Sequence, residues 1–282
     1  MVNRINLKEW FPEEVIRKME TTASCAVSFS GGVDSSVVLA VASQIIGPSG
    51  VHAVTFASWL HADWEMERAR AFAKELRVEH AVIPGPELGI PEVVGNHPGR
   101  CALCKEARIR NLLLYAGNHS LKSVFEGSNA DDIEDPTRLG TGVLPLYDNV
   151  YSPLAEAGLS KKRTRLLARE LGIGWWNESA TACMATRFPS YCKLDEFILR
   201  RVAGIEKTIR NKGFSQARVR VFEDMACLEF PADDLDRAMK EREFLVGVMH
   251  ENGFSRVMLD LEGYVSGKKW LSKMNHPQGG SI

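Results

Sequence analysis

No run of eighteen apolar residues occurs in this 282-residue chain, so nothing in it reads as a membrane-spanning helix. Met1 to Glu20 is charged throughout and lacks the apolar core of a secretion signal, and the expectation is a cytoplasmic protein. An excess of charge of one sign is missing too: 35 Lys and Arg stand against 36 Asp and Glu, a net charge of −1. That balance gives no global pull toward nucleic acid or a membrane surface. There are no internal repeats and no low-complexity tract. The chain has no G-x-x-x-x-G-K-[ST] and no G-x-G-x-x-G, which excludes a Walker P-loop and leaves a dinucleotide fold without its fingerprint. Six cysteines in a reducing compartment read as ligands or reagents rather than disulfides.

What the chain does have is Ser28-Phe29-Ser30-Gly31-Gly32-Val33-Asp34-Ser35-Ser36. Cys25-Ala26-Val27 before it suits a buried parallel strand, and Val37 to Ala42 after it suits the first turns of a buried helix. Strand, glycine turn and helix together aim backbone N–H groups and a positive helix end at one spot, where an anion sits well. Gly31 and Gly32 permit positive φ and close approach of a phosphate. Ser30, Ser35 and Ser36 can add hydroxyl donors, and Asp34 can hold Mg2+ on the phosphates. A glycine turn between two buried elements, with no ligand, is the plain alternative. Ser-Gly-Gly-x-Asp-Ser at a strand end resembles the PP-loop of the ATP pyrophosphatases, which cleave ATP to AMP and pyrophosphate. In that superfamily the next strand, here Val51 to Phe56, lines the adenine, so the resemblance makes Thr55 and Phe56 candidates, mainly through backbone.

Further strands are expected at Ala81 to Ile83 and Lys122 to Phe125, with helices from Asp63, from about Cys101 to Tyr115, and after a cap at Ser160. Strands alternating with helices predict an α/β fold with a doubly wound parallel sheet. After an irregular stretch the pattern changes. Leu194 to Lys212 and Leu235 to Glu251 read as helices, and Ala217 to Phe222, Ala226 to Phe230 and Arg256 to Leu261 as strands. Helices grouped with antiparallel strands suggest a small C-terminal α+β domain. The expected division is 1–189, 190–267 and a loose tail, 268–282.

Cys101 and Cys104 have C-x-x-C spacing on a helix start, and Cys183 is a third candidate. Three thiolates can hold a 4Fe–4S cluster and leave one iron open to a sulfur nucleophile. Zinc is the rival metal, with His97 as a fourth ligand, and redox or unliganded thiols are a further reading. Cys25 and Cys227 fit buried small hydrophobes, since both lie in expected strands.

Six motifs in order then carry a closer resemblance: Ser30-Gly-Gly-Val-Asp-Ser35, Arg100-Cys-x-x-Cys-Lys105, Glu126-Gly-Ser-Asn-Ala-Asp-Asp132, Ser152-Pro-Leu-x-Glu-Ala-Gly-Leu159, Ala182-Cys-Met-Ala-Thr-Arg187-Phe and Leu259-Asp-Leu-Glu-Gly-Tyr264. Together they resemble the LarE family, ATP-dependent sulfur transferases of nickel-pincer cofactor synthesis, to about Gly267. The resemblance implies that ATP adenylates a carboxylate of a pyridinium mononucleotide and that sulfur then displaces AMP to leave a thiocarboxylate. It implies a sulfide donor and a homo-oligomer, hexameric in relatives. Members with one cysteine at the position of Cys183 give up its sulfur, whereas the three-cysteine kind resembles this chain and carries sulfide on a 4Fe–4S cluster.

Residue by residue, the resemblance places Asp34 and Asp131 on magnesium, Ser28 and Gly127 at the nucleotide, and Glu126 near the reacting center or in a salt bridge closing the strand end. Arg187, Arg218 and Arg220 would bind the substrate phosphate; for the last two a solvated strand face is the alternative. Trp175 and Trp176 could stack on the pyridinium or pack as wall, and Lys105 could meet a phosphate or lie on the surface. The chain departs from the family at Asp135-Pro136-Thr137-Arg138, where Asp then Arg-Pro-Gly is usual. Competing functions are PP-loop tRNA thiolation, disfavoured for want of a basic face, an ammonia-using amidotransferase or synthetase, and a non-catalytic metal scaffold.

Overall fold

The computed structural model describes residues 2–61, 63–178 and 182–265; the expected tail, 268–282, lies outside the described residues. In chain order the helices and strands begin with α1 (Glu13–Thr22), β1 (Cys25–Ser28), α2 (Val33–Ile46), β2 (Val51–Ala57), α3 (Asp63–Leu76) and β3 (Glu79–Pro84). Next come α4 (Pro91–Val94), α5 (Arg100–Asn118), β4 (Ser123–Phe125), α6 (Ala130–Glu134), β5 (Val150–Tyr151), α7 (Pro153–Glu156) and α8 (Lys161–Glu170). The chain closes with α9 (Glu196–Asn211), β6 (Arg218–Phe222), β7 (Met225–Glu229), α10 (Leu235–Lys240), α11 (Arg242–Glu251) and β8 (Arg256–Leu259). Two compact units form, one of residues 1–58, 63–93 and 99–181, the other of 59–62, 94–98 and 182–282.

The first unit is built on a five-stranded, all-parallel sheet in the order β3-β2-β1-β4-β5. β1, β2 and β4 are buried at successive positions because both faces are covered. Cys25, Val27, Val51 and Ala53 pack on one side with Val37 and Leu39 of α2 and Leu167 of α8. Ala26, Val54 and Phe56 pack on the other side with Ile109 and Leu112 of α5. The strand order reverses between β1 and β4, and ligand crevices in such sheets open beyond the strand ends at that reversal. Ser28 ends β1 there, and Glu126-Gly127 follows β4. The two-residue β5 is too short to show any periodicity in sequence.

The second unit packs α9, α10 and α11 with the sheet β6-β7-β8. Asp195 caps α9, its side chain accepting from the Ile198 N–H at 3.0 Å. β6 and β7 are antiparallel as expected, but β7 and β8 run parallel, because α10 and α11 carry the chain back to the starting end. The single helix expected over Leu235 to Glu251 is two, since Glu241, with ψ 17°, leaves the helical range. No helix among the described residues is long and apolar enough to cross a membrane.

Candidate active site

The glycine turn closes on itself before it meets any ligand. The Ser35 hydroxyl lies 3.1 Å from that of Ser30, donates to the Gly32 carbonyl at 3.1 Å, and accepts from the Ser30 N–H at 3.3 Å. Gly31 has φ +80°, and a Cβ there would stand 2.7 Å from the Glu65 carbonyl oxygen of α3. The close approach that requires glycine is therefore that of a helix backbone. Gly32 does not use positive φ; at −74° it is the cap of α2. Gly127 admits the N-terminus of α2, since a Cβ would lie 3.1 Å from the Ser35 nitrogen. Ser36 is fully buried, is not among the residues that line the cavity described next, and its hydroxyl makes no hydrogen bond.

A cavity of about 350 Å³ opens here, lined by Ser28, Ser30, Gly32, Asp34, Ser35, Glu126, Gly127 and Ser128, and by Asp132, Arg138, Lys161, Arg165, Arg68 and Glu178. Burial, and next the charge of Asp132, pushes the Asp34 carboxyl up to about 6, against the pull of Lys161, Asn129 and Arg165. A buried carboxyl set beside a second carboxylate makes a place where a cation is favoured. Their hard oxygen donors suit Mg2+, so these residues fit that ion. Of the two adjacent aspartates, Asp132 lines the cavity with Asp34, while the Asp131 carboxylate accepts from the Lys161 N–H at 2.9 Å. Asp132 is bridged by Arg138 Nε at 3.1 Å and Lys161 Nζ at 3.0 Å.

Glu126 is buried and accepts from the Lys105 ammonium at 2.5 Å, from the Ser128 hydroxyl at 2.8 Å and from the Ser152 hydroxyl. Burial works to raise its pKa, and Lys105 with the two hydroxyls outweighs that, leaving it below the ordinary value. Glu126 thus lines the cavity and makes a salt bridge with Lys105. Thr55 and Phe56 do not line the cavity. Thr55 Oγ1 lies 2.8 Å from His80 Nε2, and Phe56 is buried under the Arg108 guanidinium.

Lys161 and Arg165 escaped the sequence reading, yet a signal was present. Lys161, Lys162 and Arg163 crowd the first turn of α8 with no acidic residue there, which opposes the helix dipole. Cations in that position need an anion, and Asp132 supplies one.

Cys101 lies on the first turn of α5 and Cys104 at the start of the second, exposed and half-buried respectively. Gly140 packs 3.3 Å from the Cys101 carbonyl oxygen, measured from its would-be Cβ. The same helix is anchored by Lys105 to Glu126 and by Arg108 to buried Glu87. Cys183 is half-buried in the second unit, at the cap of a short turn, Met184–Arg187. The donor chemistry of three accessible thiols suits an iron–sulfur cluster. Among the described residues, however, no group of three or more His, Cys, Asp or Glu side chains could hold a metal ion. Cys25 and Cys227 are buried in strands, and burial pushes the Cys25 thiol up to about 12. His97 sits edge-on to Tyr191 at 5.3 Å.

The arginines expected at a substrate phosphate are not on a solvated strand face. Arg187 is fully buried and Arg218 and Arg220 nearly so. Arg187 pairs with Glu206 at 2.8 Å and Arg220 with Glu229 at 2.9 Å. Arg218 stacks over the Tyr264 ring at 5.4 Å. Burial, and next the charge of Arg187, presses the Arg218 pKa down. Trp175 and Trp176 pack on the first unit's core, as wall.

The fold and this cavity define an ATP-using enzyme of the PP-loop class. The protein-family model described as asparagine synthase matches residues 6–131, the part that holds the nucleotide turn, strands β1 to β4 and Asp131. The chain is 31% identical over 242 residues to pyridinium-3,5-bisthiocarboxylic acid mononucleotide synthase of Lactiplantibacillus plantarum, covering 86% of this chain and 87% of that protein. It is 33% identical over 245 residues to an uncharacterized protein of Synechocystis, covering 86% and 90%. A protein of Methanocaldococcus jannaschii is 27% identical over 261 residues, covering 93% and 95%. The chain belongs to the LarE family.

Proposed function

We propose that the chain is an ATP-dependent sulfur transferase that converts a carboxylate of a pyridinium mononucleotide to a thiocarboxylate. One observation carries this reading: the C-x-x-C turn and the nucleotide cavity share a helix. Lys105, one residue after Cys104, reaches Glu126 on the cavity wall.

Carboxylate oxygen is a poor leaving group, so adenylation comes first. The ATP phosphates lie on the Ser30 and Ser35 hydroxyls and at the N-terminus of α2. Asp34 and Asp132 would hold Mg2+, which supplies charge neutralisation at the phosphates when bound. A substrate carboxylate oxygen attacks the α-phosphorus, and the bridging oxygen leaves with pyrophosphate. Lys161 and Arg138 stand ready to balance that leaving charge. A hydrosulfide-type sulfur then attacks the acyl carbon, and AMP leaves with the electron pair of the broken C–O bond.

A 4Fe–4S cluster held by cysteine thiolates would supply the sulfide when bound, and Cys101 and Cys104 on α5 are the pair that would hold it. In the second unit, three guanidiniums stand against the two buried carboxylates Glu206 and Glu229. Arg218, whose charge acts on Glu206 from β6, is the guanidinium we assign to the substrate phosphate.

The reading is tested with the anaerobically purified chain, ATP, sulfide and a pyridinium carboxylate mononucleotide. Pyrophosphate release should depend on the mononucleotide, and the product should gain the mass of one sulfur for one oxygen. Pyrophosphate release indifferent to that acceptor sinks the proposal. Cys101→Ser should spare adenylation and stop transfer. Iron and acid-labile sulfide near about four per chain support the cluster, and iron-free protein that turns over repeatedly removes it. Mass spectrometry of Cys183 after turnover shows whether the residue was spent.

A further inference from the structure

We infer that Arg187 is a positioning residue that fixes the backbone of Cys183, in place of the substrate-phosphate role expected from sequence. The inference rests on the proposed sulfur chemistry only in treating Cys183 as a working thiol.

Arg187 has no exposed edge to offer a phosphate. Its Nε and Nη2 donate to the two oxygens of Glu206 at 2.9 and 2.8 Å, a side-on fork. Its Nη1 turns the other way, donating to the Ala182 carbonyl at 2.8 Å, the Cys183 carbonyl at 3.3 Å and Thr186 Oγ1 at 3.1 Å. Thr186 Oγ1 itself donates to the Cys183 carbonyl at 2.8 Å. Arg220 donates to the Thr186 carbonyl from the other side. Glu206 is held in turn by the Val219 N–H of β6 at 2.9 Å.

The fork therefore ties α9 and β6 to the one turn that carries the thiol. With the Cys183 carbonyl held by two donors, its ψ is set, and the direction of the sulfur depends on side-chain rotation alone. Only a planar guanidinium spans a carboxylate on one edge and a pair of carbonyls on the other; an ammonium makes a single point contact. A thiolate that helps place the sulfide donor against an activated carbonyl gains from such restraint, since a displacement of about 1 Å can cost about 100-fold in rate.

The test uses the full chain and two variants. Arg187→Lys keeps the charge and loses the fork. Thr186→Val removes one restraint on the Cys183 carbonyl and leaves the Arg187–Glu206 pair intact, so it reports even where the first variant fails to fold. Sulfur-transfer kcat should fall by about 30-fold or more for Arg187→Lys and about fivefold for Thr186→Val, with KM for the mononucleotide within about twofold. The iodoacetamide alkylation rate of Cys183, read by peptide mass spectrometry against Cys101 of the same chain, should shift in both variants. A raised KM with kcat kept would return Arg187 to the substrate phosphate and overturn the inference. Unchanged kcat and unchanged alkylation in Thr186→Val overturn it as well. Full transfer by Cys183→Ala would defeat the sulfur chemistry instead, and the alkylation measurement would still decide the positioning.

Discussion

In the first unit, Asp34, Asp132, Lys161 and Arg138 line one open cavity, and Asp34 sits there with its carboxyl raised to about 6. In the second, Arg187 and Arg220 are buried, each paired with its own glutamate. The residue types are alike and the uses differ. Charges left facing a cavity are poised for a ligand and weaken the empty protein. Charges sealed in matched pairs hold backbone in place, and removing either partner is what hurts.

The widest gap between the two regions should open with Asp34→Ala. Pyrophosphate release should fall by about 1,000-fold or more, on the order of 4 kcal/mol, while the protein stays folded. Release within about tenfold of the parent would take Asp34 out of the phosphate site. Next is Glu229→Gln, which strands Arg220 and should cost about 3 kcal/mol in urea unfolding. A loss below about 1 kcal/mol would mean the pair is screened and the contrast is false.

Asp34→Asn should act in the opposite direction, stabilising the magnesium-free protein by roughly 1–2 kcal/mol at pH 7.5 once partial exposure is discounted. The carboxyl titrates at about 6 in the folded chain against an ordinary 3.8, so the folded state binds the proton more tightly. The penalty grows as pH rises from 3.8 through 6, is full above 6, and vanishes below 3.8, where the gain from Asn should vanish too. A gain that persists in acid would assign it to another cause. Smallest is Ser160→Ala, which removes the cap of α8, bonded to the Arg163 N–H at 3.3 Å. It should lower stability by about 1 kcal/mol, and no loss would mean that the basic first turn is held by Asp131 and Asp132 alone.

The parallel sheet was legible because each strand is short, apolar and followed by a helix, and Ser28 to Ser36 stood out by its glycines. Side-chain direction was not. Asp131 and Asp132 are adjacent in sequence, and which of them faces Asp34 depends on the hydrogen-bonded cap of α6, where Asn129 and Asp132 bond each other's N–H groups. The burial of the arginines was hidden for a related reason. Arg218 and Arg220 alternate with Val219 and Val221 as an exposed strand face would, and the glutamates that allow burial, Glu206 and Glu229, lie 9 to 19 residues away from their partners. Lys161 was legible in principle, through a helix start that carries the wrong sign.

Two short early segments, 59–62 and 94–98, belong to the unit otherwise made of the last hundred residues. Leu60 accepts the Met184 N–H at 2.9 Å, and the Asn96 amide, itself buried, donates to the carbonyls of Ala185, Phe188 and Pro189. A growing polypeptide leaving the ribosome thus carries both segments without their partners until the final third has been made. No single cut releases the C-terminal part whole, and a shortened gene ending before Ala182 would encode a protein with a bare leucine and a buried amide turned loose.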